Sequence, residues 1–365
     1  MSGRIVTFGE IMGRIAPGGF KRFSQALPGS VELTFGGGEA NVAVSLAVLG
    51  TPAAFVTALP RNAAADACEA TLRRFGVDTR FIVRTDEGRL GLYYLEPGAN
   101  QRPSQVTYDR DGSAVMRTSA DAYPWEEIFA DSTWFHITGI TPALSARAAE
   151  AARTAAQTAK DRGLTVSCDL NYRKKLWTWE PGTPRRELAG KTMRSILPFV
   201  DVVVGNEEDA EKVLGIEAAG TDVESGELNI AAYREVASTL VEQFPTVRTV
   251  AITLRESLSA THNNWGAMLY DAETGQAHFA PTDADGNYRP YEIRAIVDRV
   301  GGGDSFSAGL IYALTHDEWS APEDAVRFAA AASCLKHSIP GDFNLATRSE
   351  VEALAAGRAS GRVSR

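Results

Sequence analysis

What most constrains this chain is a rhythm of short apolar runs and helical stretches, regular from residue 132 onward. STWFHITGI (132–140), LTVSCDLN (164–171), FVDVVVGN (199–206) and VRTVAITL (247–254) read as strands. Between them an alanine-rich stretch (145–162), EEDAEKVLG (207–215) and residues 230–243 carry apolar residues at helical spacing. Strands that alternate with helices predict a mostly parallel sheet covered by helices on both sides. The chain opens in the same way, with a strand at 4–9, a helix at 39–49 ending at Gly50 as its cap, and a strand at 54–59. In such sheets ligands bind beyond the carboxyl ends of the strands, so the informative side chains are those just after each strand.

One region breaks the rhythm. GLYYLE (91–96) and SQVTYDR (104–110) are short aromatic strands separated by PGANQRP. Two such strands among βα units read as a small sheet projecting from the body, a lid. The predicted organisation is one large domain over residues 1–348. Lid strands at about 12–35 and 89–118 are inserted in it, and a tail (349–365) frays at GRASGRVSR. There is no internal repeat and no low-complexity linker at which to divide the chain.

Composition narrows the function classes. The 365 residues are 44% hydrophobic and 23% charged, which suits one sizeable core. A formal net charge of −9 without a basic run argues against nucleic-acid binding. An acidic protein that handles anions must concentrate its arginines locally. Cys68, Cys168 and Cys334 form no CxxC pair, which suggests neither a disulfide framework nor a zinc site. The N-terminus lacks the apolar core of a signal peptide, and no run of about 18 apolar residues appears. A cytoplasmic protein without a membrane span is the expectation. The histidines have no metal-ligand spacing, and no GxGxxG follows the first strand, which disfavours a Rossmann dehydrogenase.

The chemistry concentrates in DRVGGGDSFSAG (298–309), a glycine-rich turn opening a helix. Glycines at a helix N-terminus let backbone N–H groups converge on an anion, and the helix dipole adds to the attraction. A carboxylate there, Asp304, repels phosphate and makes sense as the acceptor of a proton from an attacking hydroxyl.

This run resembles the C-terminal signature of the ribokinase-like (PfkB) carbohydrate kinases, D-x-x-G-A-G-D-x-F-x-x-G. Asp298, Gly301, Gly303, Asp304, Phe306 and Gly309 match it, with Gly302 in place of alanine. FGGGEANVAVSLAVLG (35–50) resembles the family's N-terminal signature. The resemblance implies a three-layer α/β/α sandwich with a β lid. It also implies ATP and Mg2+ as cofactors, Asp304 as base, and an anion hole from the N–H groups of Gly301, Gly302, Gly303 and Asp304. K+ is left open, with Asp298 as its ligand, and a homodimer through the lids is expected. GLYYLE, QVTYDR, CDLNYRKKLW and KHSIPGDFN are similar to the 2-keto-3-deoxygluconate kinase branch. By that resemblance Gly37, Asn41, Tyr93, Arg102, Tyr108, Arg110 and Arg173 line a sugar-acid site. A carboxylate favours guanidinium partners, and tyrosine offers a flat face with a polar tip.

On the nucleotide side the resemblance points to Asn206 with Glu208 or Asp209 near the phosphates, Glu208 holding Mg2+ through water. Thr253, Arg255 and His337 complete the ATP contacts. Arg255 stands where the family usually has glycine, and the choice between a phosphate contact and an ion pair with Glu256 stays open. Two other readings remain at this stage: a kinase for fructose, ribose or a nucleoside, and a silent sugar-binding homologue.

Overall fold

The computed structural model describes residues 3–206, 208–217 and 230–358. Glu207, the first residue of the helical stretch expected at 207–215, and the end of the tail (359–365) lie outside the described residues. A nine-stranded sheet forms the centre. Its order is Gln276–Ala280, His262–Asp271, Thr249–Ser259, Val202–Asn206, Thr165–Asp169, Ser132–Thr138, Arg4–Phe8, Ala53–Val56, with Tyr291–Ile293 also paired to His262–Asp271. The six strands from Thr249–Ser259 to Ala53–Val56 run parallel.

Successive strand residues feed two cores. Val6, Phe8, Phe135, Val166 and Val203 pack with the helices Ala146–Asp161 and Arg185–Ile196. Ile5, Phe55, Val202 and Val204 pack with Gly38–Val48, Gly302–Leu314 and Pro322–Lys336. This is the α/β/α sandwich expected from the alternation of strands and helices. Seven buried alanines of Ala146–Asp161 let that helix lie close to the sheet.

Beyond residue 254 the structure departs from the sequence reading. Thr249–Ser259 continues through an exposed half and pairs antiparallel with His262–Asp271, so Arg255 sits on a strand opposite Trp265. The tail is also corrected. Arg348–Ala355 is a helix with a Thr347–Glu350 capping box, and Val351 and Ala355 are buried. No helix among the described residues is long and apolar enough to cross a membrane.

A separate four-stranded sheet, ordered Glu32–Gly36, Met12–Ala16, Gly91–Glu96, Gln105–Asp109, covers one end of the body. Only residues 9–11 separate Met12–Ala16 from the central strand Arg4–Phe8, so the lid is threaded directly off the main sheet.

Candidate active site

Between this sheet and the strand ends lies a cavity of about 440 Å³. Its walls come from the ends of successive strands and the residues just after them: Glu10, Ile140, Asp169 with Asn171 and Arg173, then Asn206 with Asp209. Thr253 and Arg255 on the next strand, the turn 300–304, and His337 and Asp342 close the far side. Met12, Tyr93, Val106, Tyr108 and Arg110 form the roof.

The turn is built as its glycines suggest. Gly301 caps the helix Gly302–Leu314 at φ +83°, and a Cβ there would fall 2.1 Å from the Asp342 carbonyl oxygen. Only glycine fits that conformation at that distance. A Cβ on Gly303 would meet nothing within 4 Å. First-turn N–H groups have no carbonyl four residues back, so those of Gly303 and Asp304 are free for an anion, and Gly302 N–H makes only a long 3.4 Å bond to the Arg299 carbonyl. Asp304 belongs to this same turn, and its Oδ2 accepts a hydrogen bond from Asn41 Nδ2 at 2.6 Å. Asn41 Oδ1 in turn accepts from Gly37 N–H at 3.2 Å. Asn41 thus lines the cavity and also orients Asp304. Burial pushes the Asp304 carboxyl up to about 6, with Asn41 opposing the rise and Asp342 adding to it.

The sugar side holds a charge arrangement that the sequence conceals. Arg110 is buried and donates through Nε and Nη2 to Glu10 Oε2. Glu10 is buried too, and its Oε1 has no hydrogen-bond partner in the structure. The Arg110 guanidinium lies 5.3 Å from the Tyr108 ring centroid. Tyr93 faces inward and donates to Asp342 Oδ1 at 2.5 Å, while its neighbour Tyr94 faces Phe23. Arg173 is exposed at the mouth and forms no salt bridge among the described residues. Its loop is stiffened by Trp177, fully buried at φ +65°, a backbone region that a bulky residue occupies only when packing holds it there.

At the other end Asp209 clamps two strand ends, accepting from Tyr172 N–H and Asn206 N–H at 3.0 Å each. Burial raises its pKa, and burial beside Asp209 and Asp304 raises that of Asp169. Arg299 donates to the Ser259 and Ala260 carbonyls and to Asn263. His337 packs against Trp265 with the rings tilted by 59° and their centroids 5.0 Å apart, and it contacts the Ser333 carbonyl through Nδ1. That contact makes Nδ1 the donor, and burial lowers the ring to about 4, so it stays neutral.

Three expected site residues fall elsewhere. Arg102 donates to the Pro97 and Phe20 carbonyls and braces the lid loop outside the cavity. Glu208 turns away to pair with Lys212, and Asp209 takes the cavity position. Asp298 is not open to a monovalent ion: Arg14 Nη2 reaches its Oδ2 at 2.5 Å, and the Val300 and Gly341 N–H groups also donate to it. The sequence reading missed Glu10, Arg14, Asp169, Arg299 and Asp342 as site residues. Position after a strand was signal enough for Glu10, whereas Asp169 lay inside the strand expected at 164–171.

Comparison with known proteins agrees with this geometry. The profile of the pfkB family carbohydrate kinases matches residues 2–344. A 2-dehydro-3-deoxygalactonokinase from Haloferax volcanii is 32% identical over 361 residues, covering 99% of each chain. The crystal structure of 2-dehydro-3-deoxygluconokinase from Thermotoga maritima superposes with a TM-score of 0.87 at 45% identity, covering 97% of this chain and 100% of that one. A ribokinase-type protein from E. coli, solved with ATP and Mg2+, shares the fold at a TM-score of 0.74 and 21% identity, covering 98% of this chain and 100% of its own.

Proposed function

The chain belongs to the pfkB family of carbohydrate kinases, phosphotransferases with an alcohol acceptor, and on that premise we propose that it phosphorylates 2-keto-3-deoxygluconate on its 6-hydroxyl. The observation that carries the mechanism is a half-buried carboxyl, Asp304, held by Asn41 in the same helix turn that offers free N–H groups to an anion. Asp304 accepts the proton of the primary hydroxyl as that oxygen attacks. The N–H groups of residues 302–304 hold the transferring phosphoryl oxygens. The lid and the cavity walls exclude water, which suppresses hydrolysis of the donor.

ATP with Mg2+ supplies the phosphoryl group and neutralises its charge. The residues fit that pair. Asp169 and Asn206 present oxygens at the end of the cavity opposite the lid, suited to a water-clad Mg2+. Arg255 is free to meet phosphate, and Thr253, Trp265 and His337 line the remaining wall.

For the acceptor, Arg173 is the guanidinium that reads the carboxylate, because Glu10 already neutralises Arg110. The unpartnered Glu10 Oε1 takes a hydrogen bond from a sugar hydroxyl, and Tyr93 and Tyr108 flank the ring or chain. The Haloferax and Thermotoga relatives are named for acceptors that differ in configuration at C4. An ADP-release panel of both C4 epimers of the keto-deoxy acid, fructose, ribose and a nucleoside tests this reading. Turnover of the acids with little on the neutral sugars is expected, and preference for a neutral sugar would overturn it.

The lid also carries the exposed apolar side chains Phe20, Leu27, Val31 and Leu33, next to its edge strand Glu32–Gly36. A second copy of the chain is the partner that fits, lid against lid.

A further inference from the structure

Lys336 is fully buried and has no part in the reaction described above. It is the last residue of the helix Pro322–Lys336, and its Nζ donates to the Ile339 carbonyl at 2.9 Å. Its Cε lies 3.4 Å from where a Cβ on Gly301 would sit, so the side chain runs directly behind the glycine-rich turn. A second buried cation arrives from the lid. Arg14 bridges Asp298 at 2.5 Å and Asp342 at 2.8 Å. Asp298 precedes the turn, and Asp342 sits in the loop that packs against it. Asp298, Asp342, Arg14 and Asp304 are the charged groups that act on Lys336.

Burying a lysine and an arginine is expensive unless their charges are matched, and apolar residues of the same length would fill the space more cheaply. Here the charges match, two cations to the two carboxylates behind the turn. Every carboxylate oxygen of Asp298 already accepts a hydrogen bond: Oδ1 from Val300 N–H, Oδ2 from Arg14 and Gly341 N–H. Asp342 Oδ1 takes both Arg14 and Tyr93. A monovalent metal ion would need these same carboxylate and carbonyl oxygens, and it would add a third positive charge.

We infer that Lys336 and Arg14 are positioning residues that act as a built-in cation, locking the turn 298–302 against the loop 337–342, and that the protein needs no bound monovalent metal ion. This rests on the reading of the turn as the anion hole.

The test replaces K+ by Na+ and by tetramethylammonium, all as chlorides at fixed ionic strength and with Mg2+ present. Three quantities are read for the unaltered protein: the Kd for ADP by calorimetry, Tm, and turnover of the keto-deoxy acid. Kd and turnover within threefold across the salts, with coincident Tm, are expected. A K+-specific gain above threefold in affinity or turnover would overturn the inference. Calorimetry and melting need no acceptor, so they decide the ion question even if the acid is not the substrate. Lys336→Met, similar in length and uncharged, should lower kcat at least tenfold with little change in KM for the acid. A folded Lys336→Met variant with wild-type kcat would refute the positioning role. If that variant does not fold, the salt series on the unaltered protein still decides.

Discussion

Asp304→Asn separates chemistry from stability, because the two should move in opposite directions. The Asp304 carboxyl is raised from 3.8 to about 6, mainly by burial. The native state therefore holds the proton more tightly than the unfolded chain. Stability from this group is full below pH 4 and is lost as pH climbs through about 6. At about 1.4 kcal/mol per pH unit, ionising Asp304 in place costs about 3 kcal/mol at neutral pH. Asparagine carries no charge, has nearly the same shape, and can keep the bond from Asn41. At pH 7.5 the variant should melt about 4 °C higher than the unaltered protein, from the specific unfolding entropy of a chain this size. At pH 4 the two should melt together. Turnover should fall about 10²–10⁴-fold, the usual loss on removing a general base. Paired thermal melts and ADP-release kinetics at saturating substrate are the assay. A variant that keeps more than about a tenth of kcat would refute Asp304 as base. One that melts lower at pH 7.5 than the unaltered protein would refute the view that its charge is held at a cost.

Three further outcomes are expected. The kcat/KM of the unaltered protein should drop as pH falls through about 6, since the base must be ionised. Asn41→Ala, which removes a bond favouring the ionised form, should move that limb up by roughly one pH unit or more. An unmoved limb would show that Asn41 does not act through Asp304. Arg173→Ala should raise KM for the sugar acid roughly 10- to 150-fold, the loss of a charge-assisted hydrogen bond, with KM for ATP little changed. An equal rise for a neutral sugar would remove Arg173 as the carboxylate reader. Light scattering at micromolar concentration should give a dimer mass that Leu33→Lys reduces to a monomer, and a monomer mass for the unaltered protein would end the lid-pairing reading.

The sheet was legible because short strand-like runs alternate with helical stretches, the pattern of a parallel sheet covered on both faces, and the glycine-rich turn was legible because only glycine tolerates the contact at residue 301. The added antiparallel strands were not. HNNWGAMLYD mixes polar and apolar residues without a clean period, and its partner Thr249–Ser259 turns polar after Leu254. In the site, residue types were readable and their counter-charges were not. Arg110 looks like a free anion receptor until Glu10, 100 positions upstream, folds onto it. Asp298 matches a motif letter, but its occupant Arg14 lies 284 positions away. Local sequence carries the identity of a charge, and only the fold decides which charge it spends its life beside.

The seam between lid and body has a mechanical consequence. Arg14 and Tyr93, on the two middle strands of the lid, are both fastened to Asp342, and Arg14 to Asp298 as well. Swinging the whole lid away would strand these carboxylates without their partners, a penalty of several kcal/mol. The outer strand Gln105–Asp109 is largely exposed, but its far end is held where Arg110 donates to Glu10. The lid is therefore riveted along its spine and pinned at one end of its margin. Bending that leaves all of these bonds intact is confined to the Gln105 end of that margin.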